Sequence, residues 1–282
     1  MSDVFVSHAH MDHFAGFDRL LRVCLHRPQP LHLVGPAGFI KRVAHRLHAY
    51  KWNLLGEHSP DFRITVDEFT HGHVSAAAEF RARDAFRERR IEPPALGLGL
   101  VLIEERFRVE AAVLDHGIPS LAFALVEPIR VSVWQGALDQ LGFAPGPWLR
   151  EAKLATLRKM PGETRIPVAP DISLSLAELQ EQVLRIGPGQ KIAYVTDAAD
   201  TPDNAEHICR LALRADEFFI EAVFLEADRE VAERTRHLTA HRAATLARDA
   251  EVRRAVLFHH SARYMDQPNA LATEFQVAFE SQ

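Results

Sequence analysis

Only two cysteines, Cys24 and Cys209, occur in the 282 residues, which excludes a disulfide-stapled scaffold and points to a reducing compartment. No apolar run approaches the roughly 20 residues that a membrane-spanning helix requires, and the first residues lack the basic and apolar regions of a secretory signal. The expected setting is the cytoplasm, with no membrane partner. Positive charge is not in excess either: 33 Lys and Arg stand against 38 Asp and Glu, a net charge of -5. Contact with nucleic acid must therefore come from a local patch rather than a global field. There is no internal repeat and no low-complexity segment. What remains is a chain with 47% hydrophobic and 25% charged residues, long enough to bury a large core as one large domain or two small ones.

Histidine, by contrast, is plentiful at 16 residues. His8, His10 and His13 fall with Asp12 inside six residues, directly after the apolar stretch Val4-Phe5-Val6. Imidazoles with a carboxylate suit divalent metals such as zinc or manganese, and four potential ligands exceed what one open catalytic ion needs from a single segment. The excess points to two metals. If Val4 to Ser7 end a strand, His8 and His10 project to the same side and share one ion. Asp12 and His13 come after the turn, where Phe17, Leu20, Leu21, Cys24 and Leu25 have helical spacing, and face a second. The bland alternative is a chance cluster on a polar loop, but scattered histidines rarely make this pattern at a strand end.

Further along, strand and helix patterns alternate. Leu31 to Val34 reads as a strand ending at Gly35-Pro36, and Phe39, Val43, Leu47 and Tyr50 mark a helix. Residues 62 to 126 read as a strand-rich region, with strands at Phe62–Phe69, Leu98–Ile103, Val109–Leu114 and Ser120–Val126. Residues 142 to 170 are rich in proline and glycine, show little periodicity, and read as a projecting loop or arm. Helix Leu174–Leu184, strand Lys191–Thr196, helix Asn204–Ala215, strand Phe218–Phe224, helix His237–Asp249 and strand Arg254–Phe258 complete the pattern. Single polar residues stand where apolar runs stop: His116 after Val113-Leu114-Asp115, Asp197 after Val195-Thr196, His259 after Leu257-Phe258. Each alone is weak, since an Asp after a strand is more often a cap or turn residue. Jointly they supply what a two-metal site needs, a third ligand for each ion and a carboxylate able to bridge them.

These residues resemble the signature of the metallo-β-lactamase superfamily, His-x-His-x-Asp-His, and the chain is similar to its ribonuclease Z branch, the tRNA 3′-processing endonucleases. The branch is indicated by Leu33-Val34-Gly35-Pro36-Ala37-Gly38, by His116-Gly117-Ile118-Pro119-Ser120, and by Leu141 to Leu149, which resembles the Gly-Pro-rich arm that grips the tRNA elbow. Near the end, His237-Leu238-Thr239-Ala240 and His259-His260-Ser261-Ala262-Arg263-Tyr264 resemble the paired His-Ser-Thr and His-Phe-Ser-x-Arg-Tyr motifs.

The resemblance implies an α/β fold, the αββα sandwich of two mixed sheets flanked by helices, as one domain over residues 1 to 282 with an inserted arm at about 142 to 170. It implies two zinc ions, with manganese as the alternative: His8, His10 and His116 on one, Asp12, His13 and His259 on the other, and Asp197 bridging. His237 would assist the leaving group or steady the scissile phosphate, Glu221 would orient His237, and Asp12 belongs to the catalytic set. Ser261, Arg263, Arg150 and Lys153 are the expected substrate contacts, precursor tRNA the expected substrate, and the family's homodimer the candidate assembly. Basic residues in the arm, Arg150, Lys153, Arg158, Lys159 and Arg165, outnumber Glu151 and Glu163 and offer a local phosphate patch.

Three features depart from the family. Ile220 and Val223 replace the outer members of its His-Glu-Ala-Thr motif, and His260 follows His259 where an apolar residue is usual, which leaves the ligand choice open between them, with spacing favouring His259. Members also carry several strands ahead of the first motif, so the first sheet is expected to be N-terminally truncated, through a cut or a misplaced start codon. Two other readings stand beside the nuclease: a small-molecule phosphodiesterase or ester hydrolase on the same scaffold, and a non-catalytic metal-binding or RNA-binding homologue if Met1 is the native start. Other conspicuous residues read as structural. His45 and His48 lie on a solvated or packing helix face, His71-Gly72-His73 is a turn, Gly97-Leu98-Gly99 lacks the rest of a dinucleotide fingerprint, and the arginines between 81 and 90 are interleaved with acids as a solvated face.

Overall fold

In the computed structural model, residues 2–27 and 29–281 are described, and they fall into two compact units, one of residues 1–102, 109–124 and 192–282, the other of 103–108 and 125–191. The first unit begins with a five-stranded sheet in chain order: Asp3–Phe5, Leu31–Pro36, Arg63–Thr70, His73–Arg81 and Glu88–Ile91. The first three strands are parallel because helices Phe17–Cys24 and Phe39–His48 carry the chain back between them. The last two are antiparallel hairpin additions. Period-two alternation sends Leu31, Leu33, Ile64, Val66, Ala78 and Phe80 to one face, where they pack on Phe17, Leu21, Phe39, Val43 and Leu47 of the helices. On the other face, His32 sits between two carboxylates, 3.0 Å from Asp3 and 3.0 Å from the buried Asp67.

A six-stranded sheet follows in the order Ala255–Phe258, Glu217–Glu221, Lys191–Val195, Pro119–Val126, Arg108–Asp115 and Leu100–Ile103. Its first three strands are parallel and are linked by helices Pro202–Ala212 and Ala240–Asp249. Each of these helices starts at a threonine whose hydroxyl accepts a backbone N–H, Thr201 from Asn204 and Thr239 from Arg242, caps worth about 1 kcal/mol apiece. The sheets meet through Phe5 and Phe123, ring centroids 5.4 Å apart, and through the Leu121 N–H donating to the Ser7 carbonyl at 2.8 Å. With helices against both sheets, this is the αββα sandwich expected. Side chains just past the carboxyl ends of parallel strands form the usual ligand crevice of such sheets, and Asp197, Glu221 and His259 stand there.

The second unit has its own core of Leu138, Trp148, Ala152, Ile166, Leu176 and Leu179. Two antiparallel strand pairs, Ile129–Val133 with Leu184–Pro188 and Arg165–Ala169 with Ile172–Ser175, frame helices Gln135–Leu141, Pro147–Leu157 and Leu176–Gln182. The stretch read from sequence as loop therefore contains regular structure. Pro147 occupies the first helical turn, where its missing N–H removes no bond, and Trp148, Ala152 and Ala155 recur at helical spacing on the buried face. Proline and glycine delimit this helix rather than prevent it. No helix among the described residues is long and apolar enough to cross a membrane.

Candidate metal centre

The loop after strand Asp3–Phe5 delivers His8 fully buried, and His10 then serves as the N-cap residue of the single turn Met11–Phe14. This places Asp12 and His13 one step further along the same rim. Three overlapping donor groups form, one of them Asp197, Glu221, His237 and His259. His8, His10, His116 and Asp197 offer ligand atoms within 4.8 Å of one another, and Asp12, His13 and His259 do the same. Asp197 stands against both: its Oδ2 is 3.5 Å from His8 and 3.3 Å from His116, while its Oδ1 is 3.4 Å from His13 and 3.4 Å from His259. Beyond these carboxylate approaches, the buried His8 Nε2 and His13 Nε2 make no hydrogen bond among the described residues, which is costly unless something else satisfies them. The donor set and these two orphaned nitrogens fit a metal centre.

A ligand imidazole must be neutral; His8 and His116 are shifted in that direction, whereas the hydrogen bond with Glu221 raises His259. Burial pushes the His8 ring down to about 4, with Asp197 opposing and the neighbouring imidazoles reinforcing. Burial also lowers His116, whose Nδ1 donates to the Arg236 carbonyl at 2.8 Å, fixing Nε2 as the free nitrogen. Asp12 is largely exposed, and its carboxyl lies below the ordinary range: what burial it has raises it, but a backbone hydrogen bond and His13 outweigh this.

Glu221 is the hub beneath the centre. It is fully buried and accepts the N–H groups of Ala198 and Leu238 on Oε1, at 3.1 Å each, and the Asp197 N–H on Oε2 at 2.9 Å. Oε2 also faces His237 Nδ1 at 3.0 Å and His259 Nδ1 at 3.4 Å. Burial alone would raise its carboxyl, yet the hydrogen bonds from His237 and His259 hold it down at about 2. Both Asp197 and His259 have left-handed backbones, with φ of 50° and 60°, a strain of about 1–2 kcal/mol each. Glu221 contacts both residues. His237 completes the ring, 4.8 Å from the His116 centroid and 5.4 Å from that of His259.

All the residues read from sequence as ligands, together with His237 and Glu221, thus come together. Of the adjacent histidines, His259 faces Asp197, whereas His260 is exposed and belongs to none of the three donor groups. Ser261 donates its N–H to the Val223 carbonyl, and Arg263 pairs with Asp228 at 2.7 Å. Arg150 and Lys153 belong to the second unit, on helix Pro147–Leu157, and line a cleft of about 860 Å³ with Arg106 and Arg130. His48 Nε2 donates to the Phe86 carbonyl at 3.2 Å, and His71 and Gly72 form a turn with φ of 48° and 81°; among the described residues neither histidine pair belongs to a donor group.

Sequence reading passed over the supporting residues. Ser7 bonds His8 Nδ1 at 3.1 Å, Thr196 donates to Asp197 Oδ1 at 2.6 Å, and Arg236 and Asp115 sit beside His116. The one signal available was a hydroxyl residue immediately before a ligand, seen at both Ser7-His8 and Thr196-Asp197.

A family model described as the β-lactamase superfamily domain matches residues 178–260. The chain is 34% identical over 264 residues to the ribonuclease Z of Deinococcus radiodurans, across 92% of this chain and 76% of that protein. It is 32% identical over 238 residues to the ribonuclease Z of Nocardia farcinica, across 83% and 67%. Among solved structures, the metallo-β-lactamase fold protein YhfI from Bacillus subtilis matches with a TM-score of 0.53 and 12% identity, over 100% of this chain and 72% of that one, a likeness of fold alone.

Proposed function

This chain belongs to the ribonuclease Z family of the metallo-β-lactamase superfamily, and we propose on that premise that it is a metal-dependent endoribonuclease that removes the 3′ trailer of precursor tRNA. The observation that carries the reading is Asp197, each of whose carboxylate oxygens faces a different set of histidines. We assign two zinc ions, or manganese in their place, to these sets: His8, His10 and His116 for one, Asp12, His13 and His259 for the other, with Asp197 shared. Bound there, divalent cations would supply Lewis-acid charge opposite a phosphodiester and bring the pKa of water to about 7.

The chain's own groups have separate tasks in this reading. Glu221 holds His237 through Nδ1, which leaves Nε2 to carry a proton to the departing oxygen. Asp12, kept ionised by its lowered pKa, accepts the proton of the attacking water. Ser261 and Arg263 contact the RNA near the scissile phosphate, and Arg150 and Lys153 bind other phosphates of the RNA. Arg263 enters such a contact already oriented by Asp228. We place the enzyme in the cytoplasm as a homodimer.

Cleavage of a precursor tRNA transcript tests the reading. Asp197→Ala should lower turnover by roughly 10³-fold or more while far-UV circular dichroism is unchanged. Full turnover by metal-stripped protein would sink the proposal. Replacing Arg150 and Lys153 together with Ala, which leaves the core of the second unit intact, should lower cleavage of the transcript yet spare a small aryl phosphodiester; equal loss of both would remove this helix from substrate binding.

A further inference from the structure

We propose that Arg236 is a substrate-binding residue whose guanidinium, held on Asp115 at the rim of the centre, transfers to a phosphate of the RNA when substrate docks. The proposal rests on the nuclease reading above and adds a contact to it. Arg236 has a left-handed backbone with φ of 59°, a conformation that strains every residue but glycine. That turn has a purpose, since it presents the Arg236 carbonyl to His116 Nδ1 at 2.8 Å. Glycine would serve the turn with less strain, so the backbone task does not account for an arginine side chain.

The side chain lies against Gly117 and Asp115, the neighbours in sequence of His116. Its Cδ and Nε pass 3.0 and 3.1 Å from where a β-carbon on Gly117 would stand, and Gly117 is the residue after His116. Any larger residue at 117, itself at φ of 77°, would displace the guanidinium. The tip reaches Asp115, Nη1 to Oδ2 at 2.9 Å, while Asp115 Oδ1 accepts the Gly117 N–H at 2.6 Å. Asp115 therefore holds the guanidinium against Gly117, the residue that follows His116, on the segment that carries this ligand.

The hold is weak by construction. The two side chains are 50% and 52% exposed, and half-exposed pairs of this kind contribute little because water and salt screen them. A phosphate arriving at the rim offers the same guanidinium two strong acceptor oxygens in a fork geometry that arginine matches. Arg263 is tied more firmly, through an Asp228 that also bonds the Tyr264 hydroxyl. Arg236 is the more releasable of the two.

Arg236→Gly keeps the left-handed turn, so its fold is not at stake, and Asp115→Asn keeps the acceptor for Gly117 while freeing the guanidinium. Binding is measured by anisotropy on metal-loaded protein, with a labelled precursor tRNA carrying a phosphorothioate at the scissile linkage to slow cleavage. Arg236→Gly should weaken binding roughly tenfold at low salt and shrink the slope of log K against log salt by about 1. Asp115→Asn should tighten binding about twofold to fivefold. An unchanged affinity and slope in Arg236→Gly would overturn the proposal, as would loss of its bound metal by mass spectrometry, which would assign the side chain to holding the centre. Cleavage of the unmodified transcript by wild-type protein is scored separately: if it fails while binding keeps its Arg236-dependent slope, the nuclease reading falls and the Arg236 contact stands.

Discussion

Replacing Glu221 with Gln changes one oxygen into an NH2 group and should be among the most damaging isosteric substitutions in the molecule. The carboxylate accepts from three backbone N–H groups and faces two imidazole nitrogens. If the amide oxygen takes the Oε1 position it keeps Ala198 and Leu238, but the NH2 then meets the Asp197 N–H head on. One hydrogen bond to a charged acceptor is lost, worth about 1.5–3 kcal/mol, and a buried donor is left unsatisfied at about 1–3 kcal/mol. The sum, about 2.5–6 kcal/mol, spans the usual effect of breaking a buried charged pair. For a chain of this size that is a fall in Tm of roughly 4–10 °C.

Calorimetry of the chelated protein measures this free of metal binding. The gap should also depend on pH. Folding lowers the Glu221 carboxyl from 4.5 to about 2, so its contribution is complete above pH 4.5 and fades as pH falls towards 2. A variant that melts within 2 °C of wild type at pH 7, or a gap that grows on acidification, would refute the assignment of Glu221 as the hub.

Other outcomes follow from the same structure. Chelation should lower Tm, and zinc at about 100 times its Kd should restore about 3 kcal/mol; a Tm indifferent to both would mean the orphaned His8 and His13 nitrogens hold no metal. Burial would lower His32, but Asp67 and Asp3 raise it above its ordinary 6.5. The stability gap between wild type and His32→Gln in urea unfolding should therefore be full, at about 1–3 kcal/mol, below pH 6.5 and shrink as pH rises through the raised value. A gap constant from pH 6 to 9 would contradict this. Gly189→Ala would put a methyl 1.8 Å from the Glu127 carbonyl oxygen, so limited proteolysis should open the 125–191 unit, at a cost of about 1–3 kcal/mol; wild-type resistance would show that the close approach is not required.

Helices and strands with strong local patterns were legible, among them Leu31–Pro36, Phe39–His48 and Lys191–Val195. Strand His73–Arg81, by contrast, contains three consecutive alanines, poor strand formers that are held there by pairing on both sides. Helix Pro147–Leu157 was hidden by its flanking prolines and glycines. The arginines between 81 and 90 do form a charged face: Arg81 bonds Asp61, Arg89 bonds Glu79 and Arg90 bonds Glu88.

What the sequence by itself determined was the chemistry on offer. Coordination depends on side-chain type, and a strand's end is marked locally by where its apolar run stops, so His8, His10, Asp12, His13, His116, Asp197 and His259 could be picked out one by one. Only the tertiary structure decided their mutual geometry: which oxygen of Asp197 faces which histidines, that Glu221 joins Asp197, Leu238, His237 and His259, and that Arg236 reaches Asp115 across 121 positions of chain. Those relations are distances through space between segments whose neighbours along the chain carry no trace of them, and they come into being only when two sheets close on one another.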